Sequence, residues 1–202
     1  MGTVHQGLPP KLARAARRAV GARTLVETGT NVGNSAALGA RLFERVVTIE
    51  KDPTLHAAAR ERHAELRNVE WVLGDSRDIL PQLDLNEPTV FWLDGHWSAG
   101  DTAGEGDECP LLDELATIGP QHAILIDDAR LFIEPPPPPH DPAQWPTLEQ
   151  VMDALSEREV AIREDVVIAL PRRRRTRWLF GLWRVGDRLA RFGAKSRDDG
   201  RP

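Results

Sequence analysis

The sequence predicts an α/β fold: a doubly wound, mostly parallel seven-stranded sheet with an antiparallel hairpin at its C-terminal end. Three observations carry that prediction. Short β-branched runs alternate with helical stretches from residue 24 to residue 170, the pattern of repeated βαβ units. Several of these runs are almost wholly apolar, as expected of strands covered by helices on both faces. The last two runs are separated only by Glu164-Asp165, which reads as a hairpin turn.

The elements follow in order. Residues 8–20 (LPPKLARAARRAV) predict a leading basic amphipathic helix. Strands are predicted over Thr24–Thr28, Val46–Glu50, Val69–Leu73, Thr89–Asp94 and Ala123–Asp127. Helices are predicted between them over Asn34–Phe43, Pro53–Leu66 and Pro110–Ile118. Asp52 before Pro53 has the order of an N-cap followed by proline at the first helical position. Thr147 and Gln150 have capping-box spacing ahead of Val151, Met152 and Leu155. Val160–Arg163 and Val166–Leu170 complete the sheet as the hairpin. Pro135–Pro139, with Pro142 and Pro146 beyond, predicts a stiff extended loop.

Composition narrows the class. The chain has 202 residues, 41% of them hydrophobic, which supports one core and excludes wholesale disorder. No apolar run approaches the roughly 18 to 20 residues of a spanning helix. An apolar signal region is not visible at the start, and Gln6 misses the myristoylation pattern that Gly2 would need. The only cysteine, Cys109, excludes an internal disulfide and any multi-cysteine metal site. The expected compartment is the reducing cytoplasm.

The net charge of −5 conceals a split. Residues 171–202 hold 11 Lys/Arg against 3 Asp/Glu, a balance of +8, whereas residues 1–170 hold 15 against 28, a balance of −13. The organisation read from this is a basic N-terminal helix (1–23), an acidic body (24–171) and a basic amphipathic tail (172–202).

In an open α/β sheet, ligands bind beyond the carboxyl ends of the strands. Five successive predicted strands here run into polar residues. The first runs into Glu27-Thr28-Gly29-Thr30-Asn31-Val32-Gly33-Asn34-Ser35. Gly29 and Gly33 permit a tight turn, and the following helix turns N–H groups toward an anionic ligand. The second ends at Glu50, 23 residues after Glu27, where an acid can take both hydroxyls of a ribose. The third is followed by Gly74-Asp75-Ser76, short polar groups suited to an adenine edge. The fourth ends Asp94-Gly95-His96, and the fifth ends Asp127-Asp128. A nicotinamide dinucleotide fold would want three glycines as G-x-G-x-x-G, and the Gly29–Gly33 spacing fits that poorly.

The series resembles the class I S-adenosylmethionine-dependent methyltransferases over about residues 24–170. ETGTNVG stands at the family's first glycine motif, TIEKDP at its ribose-binding acid and GDS at its adenine-contacting motif. The resemblance implies cofactor contacts from Glu27, Thr28, Gly29, Thr30, Gly33, Ser35, Glu50, Lys51, Asp75, Ser76 and Asp94. LDGH followed by IDD resembles the metal-dependent O-methyltransferases, especially the branch of macrocin O-methyltransferase. That implies a divalent ion, Mg²⁺, Mn²⁺ or Ca²⁺, on Asp94, Asp127 and Asp128, which are hard oxygen donors. His96 stands where relatives place an aspartate as general base, and an imidazole can do the same work. The function implied is metal-assisted O-methylation of a hydroxyl on a small molecule, a natural product or sugar. The alternatives are metal-independent transfer to nitrogen or a carboxylate, a nicotinamide-dependent oxidoreductase, and a non-catalytic cofactor-binding or membrane-adaptor protein.

The remaining residues read as follows. The acidic loop Ser98–Glu108 and the proline segment are expected to wall the acceptor pocket, with Trp145 and His140 as candidate contacts. Trp71, Phe91 and Trp92 are expected in the core, Cys109 is expected to be structural, and Asp113 and Glu114 are expected on a solvated helix face. In the tail, Trp178, Leu182, Val185, Leu189 and Phe192 recur at spacings of 4, 3, 4 and 3, one helical stripe opposite Arg184, Asp187, Arg188 and Arg191. A basic amphipathic helix suits an anionic membrane surface, and equally a partner copy or its own domain. The acidic body argues against nucleic acid.

Overall fold

The computed structural model describes residues 7–97, 106–134 and 136–172. Parts of the acidic loop, Pro135 and the tail beyond Arg172 lie outside the described residues. Seven strands form one sheet: β1 (Thr24–Thr28), β2 (Arg45–Glu50), β3 (Val69–Leu73), β4 (Thr89–Leu93), β5 (Ala123–Ile126), β6 (Arg158–Arg163) and β7 (Val166–Pro171). Their order is β3-β2-β1-β4-β5-β7-β6. The first five pair in parallel, and β7 runs antiparallel to both β5 and β6. The expected sheet and hairpin are both present.

The helices are α1 (Pro10–Val20), α2 (Asn34–Leu42), α3 (Pro53–Arg62), α4 (Ser76–Ile79), α5 (Leu111–Thr117) and α6 (Leu148–Ala154). Alternation along the strands sends successive side chains to opposite faces. Leu25, Val46, Trp92 and Leu125 meet α1 and α2 on one face. Val26, Val47, Phe91 and Ile126 meet the elements carrying Leu111, Leu115 and Val151 on the other. α1 contributes Leu12, Ala13, Ala16, Ala19 and Val20 to the first core, so its apolar stripe is covered by the sheet.

Local chemistry sets the helix ends. The Asp52 carboxylate accepts from the Thr54 and Leu55 N–H groups at 2.7 and 2.9 Å, capping α3 ahead of Pro53. Thr147 and Gln150 form the reciprocal capping box at the start of α6. α3 ends at Arg62, earlier than its sequence pattern predicts, and His63–Leu66 continue as turns bonded from Ala64 to Glu61 and from Leu66 to His63. The 136–146 segment is pinned rather than simply extended: it contains a 3₁₀ turn at Pro142–Gln144 capped by Asp141. Trp92 is in the core as expected, whereas Trp71 is only partly buried and stacks on His63 at 6.0 Å.

Register aligns the carboxyl ends of the central strands. Thr28 pairs with Ile49 and Leu93, and Leu93 pairs with Ile126. The residues that follow (Gly29, Glu50, Asp94 and Asp127) therefore stand in a row along one edge. The strand order reverses between β1 and β4, the point where an open α/β sheet leaves a crevice.

Candidate functional site

A cleft of about 760 Å³, open to solvent, occupies that crevice. Of the residues singled out from sequence, Gly29, Glu50, Lys51, Asp75, Ser76, Asp94 and His96 line it. The β1 turn brings backbones very close: Gly29 has φ +80, and a Cβ there would stand 2.2 Å from the Asp94 carbonyl oxygen. Only glycine fits. Glu50 is fixed from two sides, its carboxylate accepting from the Asn31 and Asp52 N–H groups at 2.9 and 3.0 Å.

Asp75 caps α4 and lies 2.9 Å from Lys51 Nζ and 2.8 Å from an Arg77 guanidinium nitrogen. The Arg77 guanidinium, with Lys51, holds its carboxyl well below the usual range, against the opposing effect of burial. Arg77 also pairs with Asp107 across the cleft wall. Neither Arg77 nor Asp107 was singled out from sequence, although each adjoins a residue or loop that was.

The other predicted cofactor residues lie beneath the cleft. Glu27 is 1% exposed. It accepts from the Thr48 hydroxyl at 2.6 Å, which in turn shares a 2.6 Å hydrogen bond with Thr30. Burial pushes the Glu27 carboxyl up to about 8 despite the Thr48 hydrogen bond. Ser35 turns inward and accepts from the Leu8 N–H at 2.9 Å, tying the segment before α1 to the α2 N-terminus. Gly33, φ +79, is the N-cap of α2 and abuts the His63 ring. Thr28 is fully buried, and its hydroxyl acts on the Glu114 carboxyl.

Beside the cleft, three carboxylates gather around one imidazole. His96 Nε2 lies 3.5 Å from Asp94 and 3.4 Å from Asp128. These are ion-pair distances. Burial disfavours the imidazolium, but Asp128 and Asp94 outweigh it and raise His96 above its ordinary value. Burial pushes Asp94 up to about 6 and, together with the repulsion of Asp94 and Asp128, pushes Asp127 up to about 8. Asp128 moves the other way despite burial, because His96 and Arg130 face it. It holds φ +53 and pairs with Arg130 at 2.7 Å. Among the described residues, no group of three or more ligand side chains is assembled in metal-holding geometry. The chemistry of the set nonetheless suits a hard cation: burial, reinforced by mutual repulsion, raises two of the three carboxyls, and a divalent ion would offset it.

Glu108, in the loop leading to α5, is 2% exposed and organises the neighbouring wall. It accepts from the Trp145 indole at 2.6 Å and from the Asp141 N–H at 2.8 Å, and lies 3.0 Å from His140 Nδ1. Trp145 then packs its ring 5.2 Å from that of His96. Trp145 and His140 thus serve the wall and do not line the cleft. Glu114 corrects a sequence expectation. It is 1% exposed rather than on a solvated face, and burial pushes its carboxyl up to about 7. Asp113 is exposed as expected. Cys109 is largely buried and its thiol is pushed up to about 12, so it stays protonated.

This strand order, with a glycine turn after β1 and an acid ending β2, defines the fold of the class I S-adenosylmethionine-dependent methyltransferases. Among solved structures, the chain is similar to the O-methyltransferase TomG from Streptomyces achromogenes, involved in tomaymycin synthesis and complexed with S-adenosylmethionine. The identity is 24% over 80% of this chain and 78% of that one, with a TM-score of 0.54. It is similar also to the S-adenosylhomocysteine-bound methyltransferase PaMTH1 of Podospora anserina (17% identity, 81% and 78% covered, TM-score 0.56). An O-methyltransferase from Bacillus cereus in complex with S-adenosylhomocysteine aligns at 21% identity, 83% and 82% coverage and TM-score 0.53. No protein-family model matches the sequence, and no curated protein matches it.

Proposed function

We propose that the chain is an S-adenosylmethionine-dependent methyltransferase that methylates a hydroxyl of a small molecule, a natural product or sugar. The observation that carries this reading is the single cleft joining Gly29, Glu50 and Ser76, in a fold shared with O-methyltransferases that bind this cofactor. Glu50 takes the ribose hydroxyls, Asp75 and Ser76 face the adenine edge, and Gly29 and Asp94 border the sulfonium end. Asp94, Asp127 and Asp128 hold a divalent ion, Mg²⁺ or else Mn²⁺ or Ca²⁺. When bound, such an ion lowers the pKa of the acceptor hydroxyl and fixes its direction. His96 removes the hydroxyl proton as the methyl carbon leaves sulfur for oxygen, so the C–S bond breaks as the C–O bond forms. The basic tail, outside the described residues, is proposed to contact an anionic membrane surface.

One observation favours a second reading. His96 Nε2 lies 3.5 and 3.4 Å from Asp94 and Asp128, so these carboxylates can stabilise the imidazolium formed as neutral His96 takes the acceptor's proton, which supports transfer without a metal.

Calorimetry tests the core of the proposal. S-adenosylhomocysteine is expected to bind one per chain, NAD is not, and Glu50→Ala is expected to weaken binding by about tenfold or more. Binding of NAD in preference to S-adenosylhomocysteine refutes it. Mn²⁺ titration followed by electron paramagnetic resonance tests the metal: Asp127→Ala should lose Mn²⁺ while keeping S-adenosylhomocysteine. Methyl transfer undiminished by excess chelator selects the second reading.

A further inference from the structure

Charge is divided between the two helical layers. α1 and α2 cover one face of the sheet and carry five basic residues and no acid: Lys11, Arg14, Arg17, Arg18 and Arg41. α5 and α6 cover the other face and carry four acids and no base: Asp113, Glu114, Glu149 and Asp153. A body whose balance is −13 therefore presents one cationic face.

Contacts within the fold do not account for that face. Arg17 is half-buried with its guanidinium over the Phe43 ring at 5.9 Å, so packing explains it. Lys11, Arg14 and Arg18 are exposed, at spacings of 3 and 4 that set them on one stripe. None of the ion pairs among the described residues reaches them. Like charges at these spacings repel one another. Arg18 gains from the helix dipole in the last turn, but Lys11 in the first turn opposes it. An anionic partner would relieve the repulsion.

The surroundings describe that partner. The apolar stripe of α1 is buried on the sheet, so the helix can lie against a charged surface but has no apolar face left to insert. α1 ends at Val20, just before β1 begins, and packs over β4, β5 and β7. β7 is antiparallel to β5, with Ala169 against Ile124, so it ends at the edge where β5 begins. The chain therefore passes Arg172 at the same edge as the C-terminal end of α1, and the +8 balance of residues 171–202 continues from there. A nucleic acid would use those cations but not the apolar residues spaced among them from Trp178 to Phe192. A phospholipid surface uses both.

We propose that the outward face of α1, with Lys11, Arg14 and Arg18 toward the lipid phosphates, is the surface by which the folded body docks on an anionic phospholipid membrane. The tail supplies the apolar hold, and α1 sets the orientation, with the acidic α5–α6 layer turned away. This surface rests on the tail's proposed membrane contact, and the test separates the two.

The chain has three lysines: Lys11 on α1, Lys51 in the cofactor cleft and Lys195 in the tail. The full chain is acetylated with and without phosphatidylserine vesicles, and the rate at each lysine is read by mass spectrometry. Vesicles are expected to slow Lys11 and Lys195 about tenfold and to leave Lys51 unchanged within about twofold. Slowing of Lys195 without Lys11 keeps the tail contact and overturns the α1 surface. Slowing of neither removes both, and equal slowing of all three overturns the orientation. In the full chain, Lys11→Gln/Arg14→Gln/Arg18→Gln should co-sediment with the vesicles about tenfold more weakly. Its S-adenosylhomocysteine affinity, unchanged within about twofold, reports that it is folded. Asp113→Asn/Glu149→Gln/Asp153→Asn shifts the net charge by the same amount on the opposite layer, where screening should hold the change in sedimentation below about twofold. A gain there as large as the loss on α1 shows that attraction follows net charge alone, and overturns the proposal. Wild-type sedimentation by the α1 variant, or tighter binding of the full chain to an RNA duplex than to the vesicles, overturns it too.

Discussion

At the scale of single residues, two positions carry sharp consequences. Gly29 combines φ +80 with a 2.2 Å approach to the Asp94 carbonyl for any added Cβ. Gly29→Ala therefore meets backbone strain and a clash with an atom that cannot swing away. It is expected to lose about 2 kcal/mol or more in urea unfolding and to abolish S-adenosylhomocysteine binding. Glu27 sets a pH dependence. Its folded carboxyl titrates at about 8, against an ordinary value of 4.5. The folded state therefore keeps a proton that the unfolded state releases, and stability falls as pH rises from about 4.5 to about 8. Glu27→Gln should flatten that slope, and denaturation curves at pH 5.5 and 8.5 (roughly the ends of the window) measure it. An unchanged slope would falsify the assignment. Site residues were legible where one strand end supplies one polar group, as at Glu50 and Asp94. Glu114 was misread because a charged residue at a helix position is taken as solvated. Its spacing from Leu111, Leu115 and Ile118 already placed it on the apolar stripe, which was the available signal.

At the scale of elements, what is local in sequence was readable and what is paired over long separation was not. The Asp52 cap, the Thr147 capping box and the Glu164-Asp165 turn each depend on neighbours within four residues. The Glu108 hub joins residues 32 to 37 positions apart, and no periodicity reports it. The hairpin turn does more than close β6 on β7. Asp165 accepts from the Arg130 N–H at 2.9 Å, pairs with the Arg130 guanidinium, and its carbonyl accepts from the Ala129 N–H at 2.8 Å. It thereby holds the turn that carries Asp128. Asp165→Ala removes the carboxylate that holds Arg130 and leaves alanine, which tolerates φ +64 less well than aspartate, at a cost of about 2 kcal/mol. The same variant should weaken Mn²⁺ binding, if Asp128 is a ligand, without changing S-adenosylhomocysteine affinity. By contrast, Asp52→Ala should cost about 1 kcal/mol and leave Mn²⁺ binding unaffected, while loosening the Asp52 N–H that holds Glu50 and so weakening S-adenosylhomocysteine.

At the scale of the whole molecule, charge separates into an acidic body and a basic end. The body's acids at the cleft and beside His96 are explained by chemistry inside the fold. The positive excess of residues 171–202, 11 Lys/Arg against 3 Asp/Glu, has no such role among the described contacts beyond Arg172, whose guanidinium reaches the Ser156 carbonyl at 2.6 Å. No helix among the described residues is long and apolar enough to cross a membrane. If the tail contacts an anionic surface as proposed, each Lys or Arg there contributes about 1 kcal/mol, and the apolar residues between Trp178 and Phe192 would add to it. The full chain should therefore co-sediment with phosphatidylserine vesicles at least about tenfold better than residues 1–172. That advantage should fall as salt is raised, because the attraction acts over a Debye length. Equal sedimentation of the two chains removes the membrane role. If the full chain is also larger than residues 1–172 by sedimentation velocity in the absence of vesicles, the stripe is instead covered by a second copy, and the basic residues form the outer face of that pair.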